Sequence, residues 1–264
     1  MQEKVASMVK LNQQGSTLIV VLALLVLITL IGTVAMKSSL VSLNVATNSQ
    51  AQQIMTQSSD SAMFALQDPA QFKRYQMGNG VLGYMRTDAN KEKELVFCLR
   101  NNATRFFDLN QASVIYWPSG SAKPVNNELG LDGYCDMSQA NSYTSGRKAV
   151  MTQVAVRYTS TPTKPFEFYQ RGTDLETAKL EETERLIVHS TSIMPSLANS
   201  ATNAQINGCL SQHLNLAIEP VDAYVDDQDE DQIEANKKGK VSVSKCLSDL
   251  NVPHTTHVTE YTLG

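Results

Sequence analysis

From Thr17 to Met36 the chain reads TLIVVLALLVLITLIGTVAM, an apolar run without a charge or a proline. At 1.5 Å per residue this makes a helix of about 30 Å, the thickness of a bilayer core. The pattern continues beyond it. Residues 37–67 contain no Gly or Pro before Asp68-Pro69, and apolar or small residues recur at Leu40, Leu43, Thr47, Ala51, Ile54, Ser58, Ala62 and Ala65. Steps of three and four mark one face of a helix. Asn44, Asn48, Gln50, Gln52 and Gln53 cover the other face. The expectation is a single helix over Ser16–Leu66, about 75 Å long, whose stretch Ile54–Leu66 packs on the rest of the protein. The many Ser, Asn and β-branched residues weaken its intrinsic helix propensity, so packing has to hold it.

After Pro69 the period changes from helical to two. Leu95–Leu99 and Val114–Trp117 read as short strands. Val150–Tyr158, Phe166–Gln170 and Arg185–Met194 read as three consecutive antiparallel strands with one face buried on the long helix. Residues 118–133 carry the Pro and Gly of a loop, and residues 174–184 are a charged excursion. Further on, 199–216 is helical in pattern around Cys209, Lys240–Cys246 reads as a strand, and Val258–Leu263 closes a sheet. The fold class is therefore α+β: a long N-terminal helix, membrane-spanning in its first half, on an antiparallel sheet headgroup. The expected segments are a leader 1–15, a membrane or filament-core helix 16–36, a helix extension 37–67, and a headgroup 68–264.

Composition narrows the setting. The chain has 264 residues and a net charge of −4, too acidic for a nucleic-acid groove. All four cysteines, Cys98, Cys135, Cys209 and Cys246, lie beyond the apolar run. An even count in a translocated domain favours two disulfides. Equal spacing fits Cys98–Cys135 and Cys209–Cys246, with three connectivities open. A Cys₄ zinc site lacks any Cys-x-x-Cys pair.

The apolar run is preceded by a short polar leader with Lys4 and Lys10 against Glu3, and its processing-like signal, Gly15-Ser16, lies before the run. No small-x-small site follows the run, as a secretory signal peptide would have. The segment QQGSTLIVVLALLVLITLIGTVAM resembles the type III signal of the type IV pilin superfamily, most of all the minor pilins of the PilX type. That resemblance implies cleavage by a prepilin peptidase after Gly15 and methylation of the new N-terminus at Ser16. It implies residence in the inner membrane with a cytoplasmic N-terminus, a sense the leader lysines also favour, and then in an extracellular pilus. The implied partners are other minor pilins, the major pilin, a tip adhesin and the inner-membrane assembly platform. The implied roles are pilus biogenesis, twitching motility and adhesion. Major pilins carry a glutamate at the fifth mature position, where this chain has Val20. A membrane carboxylate costs a few kcal/mol and is kept for a reason, so its absence suits a subunit at or near the filament tip. A disulfide-bounded C-terminal region is also common in pilins. Two other readings share the apolar run: a type II secretion tip pseudopilin, and a bitopic periplasmic binding domain with an uncleaved anchor.

No catalytic constellation is found, so no enzyme activity and no cofactor is expected. Asp227, Asp229 and Asp231 match the first ligands of an EF-hand, but Gln232 stands where its glycine belongs and Lys238 where its last glutamate belongs. A solvated charged loop is the better expectation there, with a non-EF calcium loop as the alternative. His189, His213, His254 and His257 form no HExxH motif, and the last two are expected at the surface. Trp117, between Tyr116 and Pro118, is either a partner anchor or, more simply, core packing at a strand end.

Overall fold

The computed structural model describes residues 16–91, 93–100, 107–118, 121, 123–144, 146–159, 184–198, 200–216 and 241–263. The leader, the Phe166–Gln170 strand, most of the 174–184 excursion and the acidic run lie outside them. Helix α1 runs without interruption over Ser16–Gln67. It ends where the sequence places a break: Asp68 takes an extended conformation, and its carboxylate accepts from the amide of Ala70. That cap starts a second helix, α2 (Pro69–Gln76), with the proline at its first turn, where no amide partner is missed. A short α3 (Val81–Met85) follows. The Asp68-Pro69 pair was legible as a break but is also a helix start, so the expected β texture begins only at Glu94.

The chain divides into two compact units at Gln50/Ala51. The first holds α1 up to Gln50; its side chains from Leu18 to Val45 are exposed with hardly an exception. The second unit is layered around a five-stranded antiparallel sheet of order β2-β1-β3-β4-β5. Its strands are β1 (Glu94–Cys98), β2 (Ser113–Ile115), β3 (Met151–Thr159), β4 (Glu184–Ile193) and β5 (His254–Leu263). The pairing of β3 with β4 runs from Met151↔Ile193 to Thr159↔Arg185, and that of β4 with β5 from Glu184↔Leu263 to Ile193↔His254.

On one face of this sheet lie Leu95, Phe97, Val114, Val154, Val156, Tyr158, Leu186 and Val188, clustered with Ala62 and Leu66 of α1 and with Tyr75, Val81, Leu82 and Met85 of α2 and α3. Ala51 and Met55 meet Val150 and Met194 at the upstream end of the same crossing. The buried face of α1 is Ala51, Met55, Ser59, Ala62 and Leu66. Ala51 and Ala62 lie on it as expected, but at the other positions it is turned by one residue, with Met55, Ser59 and Leu66 in place of Ile54, Ser58 and Ala65, and Ile54 is exposed. The turn places small side chains where helix and strands approach most closely. There Ser58 Oγ lies 2.7 Å from Thr152 Oγ1, which lies 2.7 Å from Ser192 Oγ, which lies 2.7 Å from Ser59 Oγ. Each hydroxyl in this seam can donate to the next, so none is left with an unmet desolvation cost.

The opposite face carries the C-terminal helices α4 (Asn203–Gln212) and α5 (Val243–Asp249). Thr202 and Gln205 close a capping box on α4. The expected strand Lys240–Cys246 is instead largely α5: Ser242 accepts from the amide of Lys245, and Val243 and Leu247 face inward one turn apart. Cap and four-residue spacing override the short Val-Ser-Val alternation. Gly133 is forced by close approach, since a Cβ there would stand 2.2 Å from the amide nitrogen of Ser113 and 2.3 Å from the carbonyl oxygen of Val96.

The seam can be tested directly. Ser59→Leu should lower the unfolding free energy of the detergent-solubilised chain by about 2 kcal/mol through overpacking. Ser61→Leu, on the exposed side of the same helix, should change it by less than about 0.5 kcal/mol. Urea titrations of the two variants make the comparison; equal effects would mean the seam does not seat the helix.

Candidate functional site: the apolar helix, the disulfide loops and a buried carboxylate

The most distinctive surface belongs to the first half of α1. Helix α1 is described from Ser16; Gly15 and the rest of the leader lie outside the described residues. Its most apolar window has a mean hydropathy of 3.0 and no buried residue, and among the described residues it is the one helix long and apolar enough to cross a membrane. Val20 is 54% exposed, in an apolar face with Ile19 and Val21. Leucines, isoleucines and valines exposed around the whole circumference are what a helix solvated by lipid, or by other helices, presents. Thr29 and Thr33 return their hydroxyls to the carbonyls of Val26 and Leu30, so both mid-run hydroxyls are met within the helix.

The second feature is covalent. Cys98 is joined to Cys135, and Cys209 to Cys246. In the chain-entropy account a loop of this size contributes roughly 3–4 kcal/mol per bond. Gln153, buried on the same face of β3, ties both closures together: its Oε1 accepts from the amide of Cys135 at 3.0 Å, and its Nε2 donates to the carbonyl of Leu210 at 2.8 Å. Asn207 spans the same gap, donating to the Asp136 carboxylate at 2.6 Å and accepting from the amide of Met137 at 3.0 Å. Hydrogen bonds from Ser138, and then from Asn207, hold the Asp136 carboxyl below its ordinary pKa. The chain leaves the described region after Leu216 and returns at Val241, and these ends lie side by side. The amide of Val243 donates to Leu214, and His213 Nδ1 lies 2.8 Å from the carbonyl of Val241.

The third is Glu94, which sequence reasoning missed. It is 1% exposed, on the face of β1 that carries Val96 and Cys98. Its carboxylate accepts from the amides of Asn215 (2.8 Å) and Leu216 (2.9 Å) and from Asn215 Nδ2 (3.2 Å). Arg157, its cross-strand partner on β3, favours its charge, but burial is the larger effect and lifts its pKa above the ordinary value of 4.5. The same carboxylate, after burial itself, raises the Tyr134 phenol. His189, on the same sheet face, is pushed down by burial and then by Arg157. The signal for Glu94 was its alternation with Val96 and Cys98, which assigns it to the same inward face.

The remaining candidates take quieter places. Trp117 packs at the end of β2 against the cluster of Val96, Ile115 and Tyr134, and its Nε1 donates to the carbonyl of Ser121 at 2.7 Å. His254 is partly buried rather than at the surface; its Nε2 lies 2.9 Å from Ser244 Oγ and its Nδ1 2.9 Å from the carbonyl of Val252. His257 is also partly buried. Asp227, Asp229 and Asp231 lie outside the described residues, and among those described no three His, Cys, Asp or Glu side chains group as metal ligands.

Glu94 gives a pH prediction whose sign is unusual for a carboxylate. Below pH 4.5 it is protonated both folded and unfolded; above that, the folded chain holds its proton longer than the unfolded chain does. Its contribution to stability therefore falls as pH rises from 4.5 through the raised folded pKa. Subtracting the stability–pH curve of Glu94→Gln from that of the wild type should leave this fall, with contributions from His189 cancelling; a flat difference would show that Glu94 does not carry it. Comparison with known protein families, with curated protein sequences and with solved structures finds no match for this chain.

Proposed function

We propose that this chain is a minor pilin of the PilX type, a non-enzymatic subunit that takes part in type IV pilus assembly within a tip or priming complex. The observation that carries the reading is α1 itself. One helix, described over Ser16–Gln67, is apolar all round through Met36 and continues unbroken into the residues that seat on an antiparallel sheet. A filament subunit needs this continuity, since one part of the helix must pack in lipid or in a filament core and the other must carry the headgroup. Val20, in place of the carboxylate of major pilins, fits a subunit that has no neighbour ahead to pair with. Other minor pilins, the major pilin, an adhesin and the inner-membrane platform are the partners this role requires. A secretion-system pseudopilin is less favoured: such a tip subunit usually carries a large helical domain, whereas the described helices after α1 have 8, 5, 10 and 7 residues. Motility and adhesion follow from the filament rather than from chemistry in the headgroup.

Deletion of the gene should abolish surface filaments and twitching, and the wild-type chain should restore both. Gly15→Val, which blocks peptidase cleavage without altering α1, should restore neither, although the uncleaved chain still accumulates in the inner membrane. Electron microscopy of surface filaments scores the result. Full restoration by Gly15→Val would refute the pilin reading.

A further inference from the structure

The two edges of the sheet are built differently. On the β2 side the edge strand has three residues, its continuation at Tyr116 is bridged to Val125, and Pro118 follows. Those are the devices by which proteins close an edge to unwanted pairing. On the β5 side the strand has ten residues, HTTHVTEYTL, with no proline, glycine or lysine. Every residue of β5 pairs with β4 in unbroken register, so there is no bulge either. Among the described residues the outer edge of β5 has no strand partner. Such an edge presents a row of backbone N–H and C=O groups that only another extended backbone can satisfy together.

A groove opens beside the same edge, on the α1 face of the sheet. It has a volume of about 480 Å³ and is lined by Leu66, Pro69, Phe72, Leu186 and Tyr261, with Lys73 among its polar rim. Gln67 Nε2 donates to the Tyr261 hydroxyl at 2.8 Å and so fixes the wall where helix meets strand. Lys73 has no ion-pair partner among the described residues. Edge and groove together form the two parts of a strand-addition site: backbone hydrogen bonds give affinity, and a pocket reads alternate side chains.

We infer that β5 and this groove receive an extended segment of a different polypeptide, which adds as a sixth strand and seats an apolar side chain against Phe72 and Tyr261, with an acidic residue near Lys73. A second copy of this chain is disfavoured by charge. Two-fold pairing of two β5 strands keeps the same face of both sheets on one side. On the groove face, where Leu186 pairs with Tyr261, β5 presents Thr255, His257, Thr259 and Tyr261, none of them a carboxylate for Lys73. The inference deepens the assembly role proposed above by naming the form of one contact, and its test does not depend on processing at Gly15.

The test uses the full chain in detergent micelles and a fluorescein-labelled, end-capped ten-residue peptide of alternating threonine and leucine. A control peptide carries proline at each threonine position and cannot pair. The expected result is saturable binding of the first peptide by fluorescence anisotropy, weakened at least about tenfold by the prolines and about tenfold by Phe72→Lys, a partly buried position at the groove wall. Absence of binding by either peptide, with the circular dichroism of the folded headgroup intact, would overturn the inference and mean that the edge is already covered. Equal binding of both peptides would also overturn it, reducing the groove to a plain apolar pocket. A concentration-dependent dimer abolished by Phe72→Lys would overturn it in favour of a second copy. The N-terminal mass of the same preparation separates failure here from failure of the pilin reading.

Discussion

The headgroup depends on how the downstream part of α1 is seated on the sheet. A helix face of Ala51, Met55, Ser59, Ala62 and Leu66 is mostly small, so its apolar burial alone would hold the helix weakly. It would also leave the helix free to slide. The chain of hydroxyls from Ser58 through Thr152 and Ser192 to Ser59 removes that freedom. Its members satisfy one another only at one axial position and one rotation, because a shift of a single residue would strand several buried hydroxyls without partners. Larger apolar contacts at both ends, Met55 with Met194 and Leu66 with Leu186, then act on a helix already in register.

That register gives the sheet two covered faces. With α1, α2 and α3 on one side and α4 and α5 on the other, β3 can be buried along nearly its full length, which explains why Thr152 and Gln153 are both enclosed and both bonded. The C-terminal layer is attached chiefly by side chains that reach backbone groups: Gln153 to Leu210, Asn126 to Ser211, Glu94 to Asn215 and Leu216. The disulfides close each side within itself: Cys98–Cys135 joins β1 to the loop before β3, and Cys209–Cys246 joins α4 to α5. In the extracytoplasmic setting proposed above, such cross-links would persist and limit unfolding of the headgroup.

Much of this was legible in the sequence, and the reasons are specific. The apolar run and the absence of Gly and Pro up to Asp68 announced α1 because length and composition leave a membrane-scale helix few alternatives. Alternation announced β3 and β4 because it persists for nine and ten residues. The short elements were less readable. Val241-Ser242-Val243 imitates a strand for three residues, and only Ser242 as a cap and the Val243–Leu247 spacing reveal α5. The rotation of the buried face of α1 was hidden because Ile54 is the more hydrophobic choice, whereas the seam selects for small polar side chains that hydropathy ranks low. Glu94 was hidden for a related reason: its donors come from residues 215 and 216, more than a hundred positions away, and no local pattern announces a partner at that distance. The processing site proposed at Gly15-Ser16 is the opposite case: it rests on the sequence alone, and Gly15 lies outside the described residues.

The central claim, that α1 becomes the N-terminus of a processed filament subunit, is tested most directly by the mass of the N-terminal peptide of the membrane-purified protein, with and without the prepilin peptidase. The account predicts a mature chain starting at N-methylated Ser16 when the peptidase is present and the intact leader when it is absent. A chain that keeps residues 1–15 in both strains would contradict it, and would leave α1 as the permanent anchor of a two-faced, disulfide-closed domain.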